Sequence, residues 1–535
     1  MSAFDKYLHE VIVRAAHEAQ EDGSATIDAQ HLLLSLAAGA GSQGSQGSQG
    51  NQGSQGSTAQ QVLASVGLDR DAVREALDRE FEHSLSTVGV SPVGHDLPRP
   101  SPASQQPKMG ASARLALERS FASARKKDQR SEHLLLGILQ AQVGTVPRAL
   151  ALAGIDQAEL VDRVRQAAPT SGAEGHEAVQ RLLQQAVAQG GLPGILAEVR
   201  DGDGQWFGTA GVADTTRPGR KRSQHDRFRI GSISKTFVAT VVLQLAAEGR
   251  LSLDDTAEQW LPGVVHGHHH DGAGVDVRML LNHTSGIFNY TDDQEALNRR
   301  ETHSPESLVQ IAMSHPPTFT PGSDSGSDSG SAWAYSNTNY VLAGMIVERA
   351  TGRALAEEIT ERISRPLGLT GTYLPHGGDP VILGPHSRHY TKLFRTDPGA
   401  PVHDATEFDS SMFWAAGGMI STAGDLNRFF GALLGGRILP PDQQRDMFTT
   451  VPTRDWIPDS AYGLGVSSVR LPCGETVWGM GGALFGSWSY AYGTRDGSRM
   501  VTANVNGDWS DGGWDDPIGI FTDLLEAEFC RRRDT

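Results

Sequence analysis

Two predicted β-hairpins, far apart in the sequence, constrain the fold of this chain more than any other feature. The first joins Ile195–Val199 to Trp206–Val212 around an Asp-Gly-Asp-Gly turn. The second joins Ser487–Tyr492 to Met500–Val505 around an Arg-Asp-Gly-Ser turn. Long helical patterns lie between them, and a last helix is expected from about Pro517 to Arg531. Strands at both ends with helices between them predict an α/β (α+β) domain, with an antiparallel sheet and an inserted helical lobe.

The front of the chain contains an internal repeat. Ala29–Leu36 and Ser131–Ile138 share a His-Leu-Leu-Leu core, and Val62–Asp69 and Ala149–Asp156 match each other downstream. The first copy is longer because it contains residues 39–57, a Gly/Ser/Gln tract that predicts a flexible loop. The repeat predicts an all-α bundle with pseudo-twofold symmetry.

The chain is therefore predicted to be multidomain, since 535 residues are too many for one core. Residues 1–168 form the helical double repeat, with residues 84–108, rich in Pro and Ser, linking the two copies. Residues 169–172 read as the interdomain linker, and residues 173–535 form the domain that contains both hairpins.

The double repeat resembles the Clp N-terminal (Clp repeat) domain of the Clp ATPase chaperones, with the Glu-His-Leu-Leu-Leu-Gly signature best kept in the second copy. In that family the domain recognises adaptors or substrate proteins, so the resemblance implies a protein-recognition module with a protein partner. The chain has no Gly-x-x-x-x-Gly-Lys-Ser/Thr phosphate loop, so the ATPase is absent. His31 and His133 are expected to cap or buttress helices rather than to bind ligands.

Charge and hydropathy exclude two classes of partner. The net charge of -17 argues against nucleic acid and anionic membranes. No apolar run approaches the roughly 18 residues that span a bilayer. Residues 1–6 enter an amphipathic pattern without a basic n-region and an apolar h-region, which predicts a cytoplasmic protein.

A candidate nucleophile lies where an extended segment meets a helix. Ser232 and Lys235 form a Ser-x-x-Lys motif at the start of a helix that ends near Gly249. Residues three apart share one face of a helix, so the lysine is placed beside the serine. A serine needs a base to take its proton, and a partly buried lysine with a lowered pKa can be that base. The motif alone is weak, because it often arises by chance.

A second motif supplies further proton-transfer groups. Tyr335 and Asn337 precede a helix that ends at Gly352. The tyrosine would stand on a loop that faces the serine and relay protons to a leaving group, and the asparagine would hold a substrate amide. The alternative is a tyrosine that packs before a helix, with Asn337 as its N-cap.

Together the two motifs resemble those of the class C β-lactamase-like serine hydrolases, with the closest likeness to D-alanyl-D-alanine carboxypeptidases of that family. Three further stretches look like family signatures: Leu280–Gly286, Ala416–Thr422 and Ala461–Gly465. The resemblance covers nearly all of residues 173–535. It implies acylation of Ser232 and then hydrolysis or transfer, with Lys235 and Tyr335 as the coupled base and acid and no cofactor.

The third motif of that family departs from the usual Lys-Thr-Gly or His-Thr-Gly. Met480, Gly481 and Gly482 occupy its place, so the cation and the hydroxyl that help to bind a substrate carboxylate are missing. The backbone N–H groups of Ser232 and Ala483 would still form an oxyanion hole. Acyl chemistry thus remains available, while selection of a free carboxylate is in doubt.

Two functions follow from this combination. The leading prediction is a serine hydrolase that acts on a small-molecule or peptide ester or amide. An esterase or amidase is favoured over a carboxypeptidase. The alternative is a catalytically weak or inactive penicillin-binding-like protein that serves as a ligand- or protein-binding module.

Several other residues have weaker signals. Trp414 and Phe413 either line the substrate pocket or pack in the core. The His-rich stretch 266–271 reads as a solvated loop rather than a metal site. Residues 322–331, a Gly/Ser/Asp repeat, read as a loop at the rim of the cleft. Cys473 and Cys530 fall where carboxypeptidase relatives have a disulfide. We expect them to be adjacent and, in the cytoplasm, mostly reduced.

Overall fold

The computed structural model describes the chain from residue 3 to residue 530, with gaps. The described residues are 3–38, 57–87, 106–123, 129–141, 143–167, 176–202, 204–295, 301–323, 332–395, 397, 399–454, 456–510, 514 and 517–530. The predicted loop at 39–56, most of the first linker at 88–105, the linker at 169–172 and most of the Gly/Ser/Asp repeat at 324–331 lie outside them. The chain divides into two compact units, Met1–Pro169 and Thr170–Thr535.

The described part of the first unit is almost entirely helical. Its helices are α1 Ala3–Glu21, α2 Ala29–Ala38, α3 Thr58–Ser65, α4 Arg70–Thr87, α5 Ala111–Ser123, α6 Ser131–Leu139, α7 Thr145–Leu152 and α8 Gln157–Ala167. Two short strands, β1 Thr26–Ile27 and β2 Lys108–Met109, pair in parallel. The leucines of both His-Leu-Leu-Leu cores are buried in one hydrophobic core that both copies share.

The two repeat histidines have equivalent contacts. His31 Nδ1 accepts a hydrogen bond of 2.8 Å from the backbone N–H of Asp28, and His133 Nδ1 accepts one of 3.1 Å from the N–H of Arg130. Each histidine thus satisfies a backbone donor at the start of its helix, which confirms the capping prediction. The linker prediction is wrong at its start, because α4 continues through residue 87.

An antiparallel sheet of eight strands forms the centre of the second unit. The strands of this unit are β3 Gly194–Asp201, β4 Gly204–Gly211, β5 Phe228–Arg229, β6 His266–Gly267, β7 His270–Asp271, β8 Tyr390–Thr391, β9 His403–Asp404, β10 Ile420–Ser421, β11 Val451–Pro452, β12 Ser460–Tyr462, β13 Ser467–Arg470, β14 Thr476–Leu484, β15 Ser487–Gly493 and β16 Met500–Val505. The sheet order is β11-β12-β13-β14-β15-β16-β3-β4. Both predicted hairpins are present, and the pairing of β3 with β16 confirms that the two sequence ends complete one sheet.

Helices cover both faces of this sheet. They are α9 Glu177–Ala188, α10 Ser234–Ala247, α11 Ala257–Trp260, α12 Val277–Asn282, α13 Pro305–Met313, α14 Asn337–Thr351, α15 Leu355–Ile359, α16 Trp414–Gly417, α17 Ala423–Leu434, α18 Pro441–Met447 and α19 Pro517–Phe529. The first and last of these pack together on one face, where a core of apolar residues lies between them and the sheet. The others build the larger core on the opposite face, as the predicted helical lobe requires.

The structure joins Cys473 and Cys530 in a disulfide. Their Cα atoms lie 5.7 Å apart, so the prediction that they are adjacent is confirmed, and the structure contains the bonded form rather than the reduced thiols expected of a cytoplasmic protein. The bond connects the turn between β13 and β14 to the end of α19. Within the described ranges, every helix is too short or too polar to cross a bilayer.

Candidate active site

Two glycines bring the candidate nucleophile against the sheet. Gly231, with φ of +53°, turns the chain into a single 3-10 turn that carries Ser232 into α10. A Cβ on Gly231 would lie 2.6 Å from the backbone nitrogen of Ala483, and one on Gly482 would lie 2.8 Å from the nitrogen of Ser232. Because neither glycine has a side chain, the backbone N–H groups of Ser232 and Ala483 come to the same place, as an oxyanion hole requires.

The three predicted catalytic side chains meet at one point. The phenol of Tyr335 donates a hydrogen bond of 2.6 Å to Ser232 Oγ, and Lys235 Nζ lies 3.1 Å from the same oxygen. These distances are within the reach of proton transfer. The structure thus brings together residues that lie about 100 positions apart in the sequence.

Lys235 is completely buried, and its surroundings set its protonation. Its Nζ donates to Asn337 Oδ1 at 2.7 Å and to the carbonyl oxygen of Ala416 at 2.6 Å. No carboxylate in the described part of the chain forms an ion pair with it, and burial lowers its pKa well below the usual value. A neutral amine has two protons and one lone pair. If the two neutral acceptors take the protons, the lone pair is left for the hydroxyl of Ser232.

Tyr335 is held as a protonated phenol. Burial raises its pKa by more than the hydrogen bond to Ser232 lowers it. Its ring stacks on Trp456 with centroids 6.1 Å apart and also contacts the ring of His283 at 4.6 Å. The tyrosine can therefore donate a proton and is fixed in place by aromatic packing.

His283 is a site residue whose role the sequence did not reveal. It lies at the end of α12 with φ of +65°, and it is fully buried beside the catalytic tyrosine. Its Nδ1 accepts hydrogen bonds from the backbone N–H of Ser336 at 3.3 Å and from Asn339 Nδ2 at 3.1 Å. Burial lowers the pKa of His283 well below its usual value, so the imidazole is neutral. The only sequence signal was the Leu-Leu-Asn-His stretch that contains it.

Asn337 orients the lysine. Its Oδ1 accepts from Lys235, and its Nδ2 donates to Thr291 Oγ1 at 3.1 Å, so both ends of the side-chain amide are occupied. It is the first residue of α14, and Ser336 is the N-cap. It is therefore not the N-cap, and its Nδ2 keeps a second proton, so a contact with a substrate amide stays a prediction.

A cavity of about 690 Å³ opens beside the serine. Its lining residues are Ser232, Tyr335, Trp456, Ile457, Pro458, Met480, Gly481, Gly482, Ala483, Trp488, Tyr490, Trp514, Ile518 and Gly519. The three residues of the third motif, Met480 to Gly482, therefore line it, as does the predicted oxyanion donor Ala483. The aromatic part of this lining was not predicted, because Trp456, Trp488, Tyr490 and Trp514 come from three separate segments of the chain.

Trp414 does not line this cavity. Its backbone has φ of +32°, and its ring lies over Gly344 of α14, where an added Cβ would be 2.9 Å away. The prediction that it binds substrate is therefore wrong for this cavity, and the packing alternative describes it. Phe413 packs near Phe408 and Phe485.

One cluster of potential metal ligands lies outside this site. Among the described residues, His176, Asp201 and Glu528 place ligand atoms within 4.8 Å of one another. Glu528 also accepts a hydrogen bond of 2.8 Å from Arg499 Nε, so the cluster is an ion-pair network. In the His-rich stretch, His270 is buried and its Nε2 lies 3.0 Å from the carbonyl oxygen of His315, so this residue is not solvated as predicted.

Comparison with known proteins agrees with this geometry. The beta-lactamase family profile matches residues 179–517. Esterase EstB of Burkholderia gladioli is 33% identical over 202 residues, which are 35% of this chain and 48% of the esterase. Penicillin-binding protein 4* of Bacillus subtilis is 29% identical over 187 residues, 34% of this chain and 37% of that protein. The matches thus span about half the length of these curated relatives or less.

Solved structures match more completely. A D-stereospecific amidohydrolase from Streptomyces sp. is 45% identical, with 66% of this chain and 98% of that chain covered and a TM-score of 0.59. The D-amino acid amidase of Ochrobactrum anthropi SV3 is 26% identical, with 66% and 98% covered and a TM-score of 0.57. With a family match over most of its length and the serine site that the fold assembles, this chain belongs to the beta-lactamase family.

Proposed function

We propose that this protein is a serine hydrolase that cleaves amides and esters through an acyl-enzyme on Ser232. The observation that carries the proposal is the buried Lys235, whose amine has neutral acceptors for two protons and lies 3.1 Å from the serine oxygen. An inactive binding protein would have no need to keep a buried lysine without a carboxylate partner in this position, since burying an amine without an opposite charge is costly.

The first half of the reaction forms the ester. Lys235 accepts the hydroxyl proton as Ser232 Oγ bonds to the substrate carbonyl carbon. The N–H groups of Ser232 and Ala483 stabilise the oxyanion, and the loss of one such donor typically costs about 10²–10³ in rate. As the bond to the leaving nitrogen or oxygen breaks, Tyr335 donates its proton to that atom, and Lys235 returns a proton to the phenolate.

The second half releases the acid. Water attacks the acyl carbon and gives its proton to the Lys235–Tyr335 pair, and a proton then returns to Ser232 Oγ as the ester bond breaks. The same groups act in reverse order, so no further residue is needed.

We propose amides and esters of D-amino acids as the substrates. The Streptomyces relative is a D-stereospecific amidohydrolase, and its 45% identity extends over 98% of its length. A D-alanyl-D-alanine carboxypeptidase is less favoured, because no charged side chain of the described residues lines the cavity to bind a terminal carboxylate. On the resemblance of its two motifs, we also propose that the enzyme belongs with the class C β-lactamase-like members of the family.

The test uses the purified full chain and the Ser232→Ala variant. Both are treated with a fluorophosphonate and with a fluorescent penicillin, and hydrolysis of D- and L-phenylalanine amide is followed. We expect labelling by the phosphonate and hydrolysis of the D-amide, both lost in Ser232→Ala and kept in Ser314→Ala, which changes an exposed serine. No Ser232-dependent labelling by either probe would refute an enzyme function.

The alternative of a weak or inactive penicillin-binding-like protein rests on Met480, which replaces the usual cation. It predicts either that neither probe labels Ser232 or that a penicillin ester on Ser232 forms and persists. Rapid recovery of free enzyme after a penicillin pulse would exclude it.

For the helical unit we propose protein recognition, on the Clp-like repeat alone; co-purification of a partner that is lost when residues 1–168 are deleted would support it.

The cytoplasmic location stays a prediction, and the Cys473–Cys530 disulfide counts against it, since such bonds persist in oxidising compartments. Mass mapping of the native protein under non-reducing conditions would decide.

A further inference from the structure

The position of Tyr335 defines the side from which the leaving group departs. The leaving atom must lie within hydrogen-bond distance of the acid that protonates it. The phenol of Tyr335 is the donor on Ser232 Oγ, and its ring is backed by Trp456 with the two ring planes only 16° apart. The leaving group therefore lies on the Trp456 side of the serine.

The large cavity lies on this side. It includes both Tyr335 and Trp456, and its 690 Å³ falls within the ~300–1,000 Å³ that is typical of small-molecule sites. Ammonia or methanol as the leaving group would leave most of this volume unfilled.

The walls of the cavity are aromatic and aliphatic. Trp488, Tyr490 and Ile518 face it from the sheet and from the first turn of α19. Trp514 is fixed by a hydrogen bond of 2.8 Å from its Nε1 to Asp523 Oδ2. Where other members have a cation, Met480 offers a thioether. Among the residues that the structure describes, no charged side chain lines this cavity.

We propose that this cavity is a leaving-group site for large, uncharged aromatic groups, so that the preferred substrates are aryl or arylalkyl amides and esters. The inference rests on the proposed acyl-enzyme function and adds the chemistry of the departing half of the substrate. An aromatic ring fills the apolar volume and stacks on Trp456, whereas a carboxylate there loses its hydration without gaining a cation.

The test separates the leaving group from the acyl group. Methyl and benzyl esters of D-alanine and of D-phenylalanine are compared by kcat/KM, because methanol and benzyl alcohol are closely matched as leaving groups. The 4-carboxybenzyl ester adds one charge to the same ring. We expect the benzyl ester to exceed the methyl ester by about 10–100-fold with either acyl group, and the carboxylated ester to lose most of that gain.

Two variants change the cavity. Trp456→Leu removes the ring that backs Tyr335, and Ile518→Trp fills the cavity from the first turn of α19; each is expected to lower the benzyl-to-methyl ratio about tenfold. Trp509→Leu changes a tryptophan outside the cavity, which donates to the carbonyl oxygen of Gly191, and should leave both esters unaffected.

Equal kcat/KM for methyl and benzyl esters in the wild-type protein would overturn the inference while the proposed function stands. So would variants that change the ratio of D-phenylalanyl to D-alanyl substrates instead of the benzyl-to-methyl ratio, because the cavity would then hold the acyl group. Absence of Ser232-dependent turnover of every ester would overturn the proposed function, and this inference with it.

Discussion

The contact between β14 and the serine turn can be tested by adding a single methyl group at Gly482. A Cβ there would lie 1.9 Å from the carbonyl oxygen of Ile230 and 2.8 Å from the nitrogen of Ser232. Gly482 is not among the glycines with positive φ, so alanine fits its backbone conformation. The substitution Gly482→Ala therefore changes the spacing of the oxyanion donors and little else.

The size of the effect follows from these distances. Carbon and oxygen atoms approach to about 3.3 Å without repulsion, so the strand and the turn must separate by roughly 1.4 Å. A misplacement of about 1 Å near the reacting atoms costs on the order of 10²-fold, and one lost oxyanion donor about 10²–10³-fold. We expect kcat/KM to fall by about 10²–10³, which is about 3–4 kcal/mol of transition-state stabilisation.

The assay combines kcat/KM on D-phenylalanine methyl ester with the rate of labelling by a fluorophosphonate, which forms a tetrahedral adduct in the same oxyanion hole. Gly219→Ala is the matched control, because no atom lies within 4 Å of its added Cβ. Thermal unfolding and near-UV circular dichroism report the fold of each variant.

A Gly482→Ala protein that folds normally and keeps kcat/KM within about threefold of wild type would refute the oxyanion geometry. Loss of activity together with loss of the near-UV signal would show instead that the contact between Gly482 and the serine turn is needed for folding.

The remaining predictions concern Lys235, Glu198 and Cys473. Lys235→Arg keeps a charge at every pH, so it should lower kcat about 10²–10⁴-fold, while the acid limb of the wild-type kcat/KM profile should lie well below the usual lysine pKa. Burial raises the pKa of Glu198 to about 7, above its value in the unfolded chain. The contribution of Glu198 to the free energy of unfolding is therefore fully present at low pH, where its carboxyl group is protonated, and is lost as the pH rises to 7. Urea unfolding should show a fall of ~3 kcal/mol between pH 4.5 and 7 that Glu198→Gln abolishes. Cys473→Ser opens a 57-residue loop and should cost about 4 kcal/mol in the same assay; an unchanged midpoint would contradict the disulfide.

The parts of the fold that the sequence predicted are those with local signals. Each hairpin carries its own Gly-containing turn, and α10 and α14 each begin at a motif and end near a glycine, at Gly249 and Gly352. Ser232 and Lys235 are one helical turn apart, so their proximity also follows from the sequence. Such short-range rules need no knowledge of how distant segments pack.

The rest of the site depends on long-range packing. The carbonyl oxygen of Ala416 reaches Lys235 across 181 positions, and a carbonyl has no sequence signature. Trp414 has the residue type of a pocket wall, but its positive φ turns the ring onto Gly344. Trp456 and Trp514 come to line the same cavity only through the tertiary fold, so neither could be placed there beforehand.

Met480 determines how the proton-transfer roles are divided. A lysine or histidine at this position would place a cation beside Tyr335 and would lower the pKa of the phenol. With a thioether there, burial raises the pKa of Tyr335 by more than its hydrogen bond to Ser232 lowers it, so the phenol keeps its proton and donates to Ser232. Lys235, whose pKa is lowered by burial, is then the residue that accepts the serine proton. One substitution in the third motif thus assigns the roles of base and acid to different residues. It also removes the charge that would select a leaving group carrying a carboxylate.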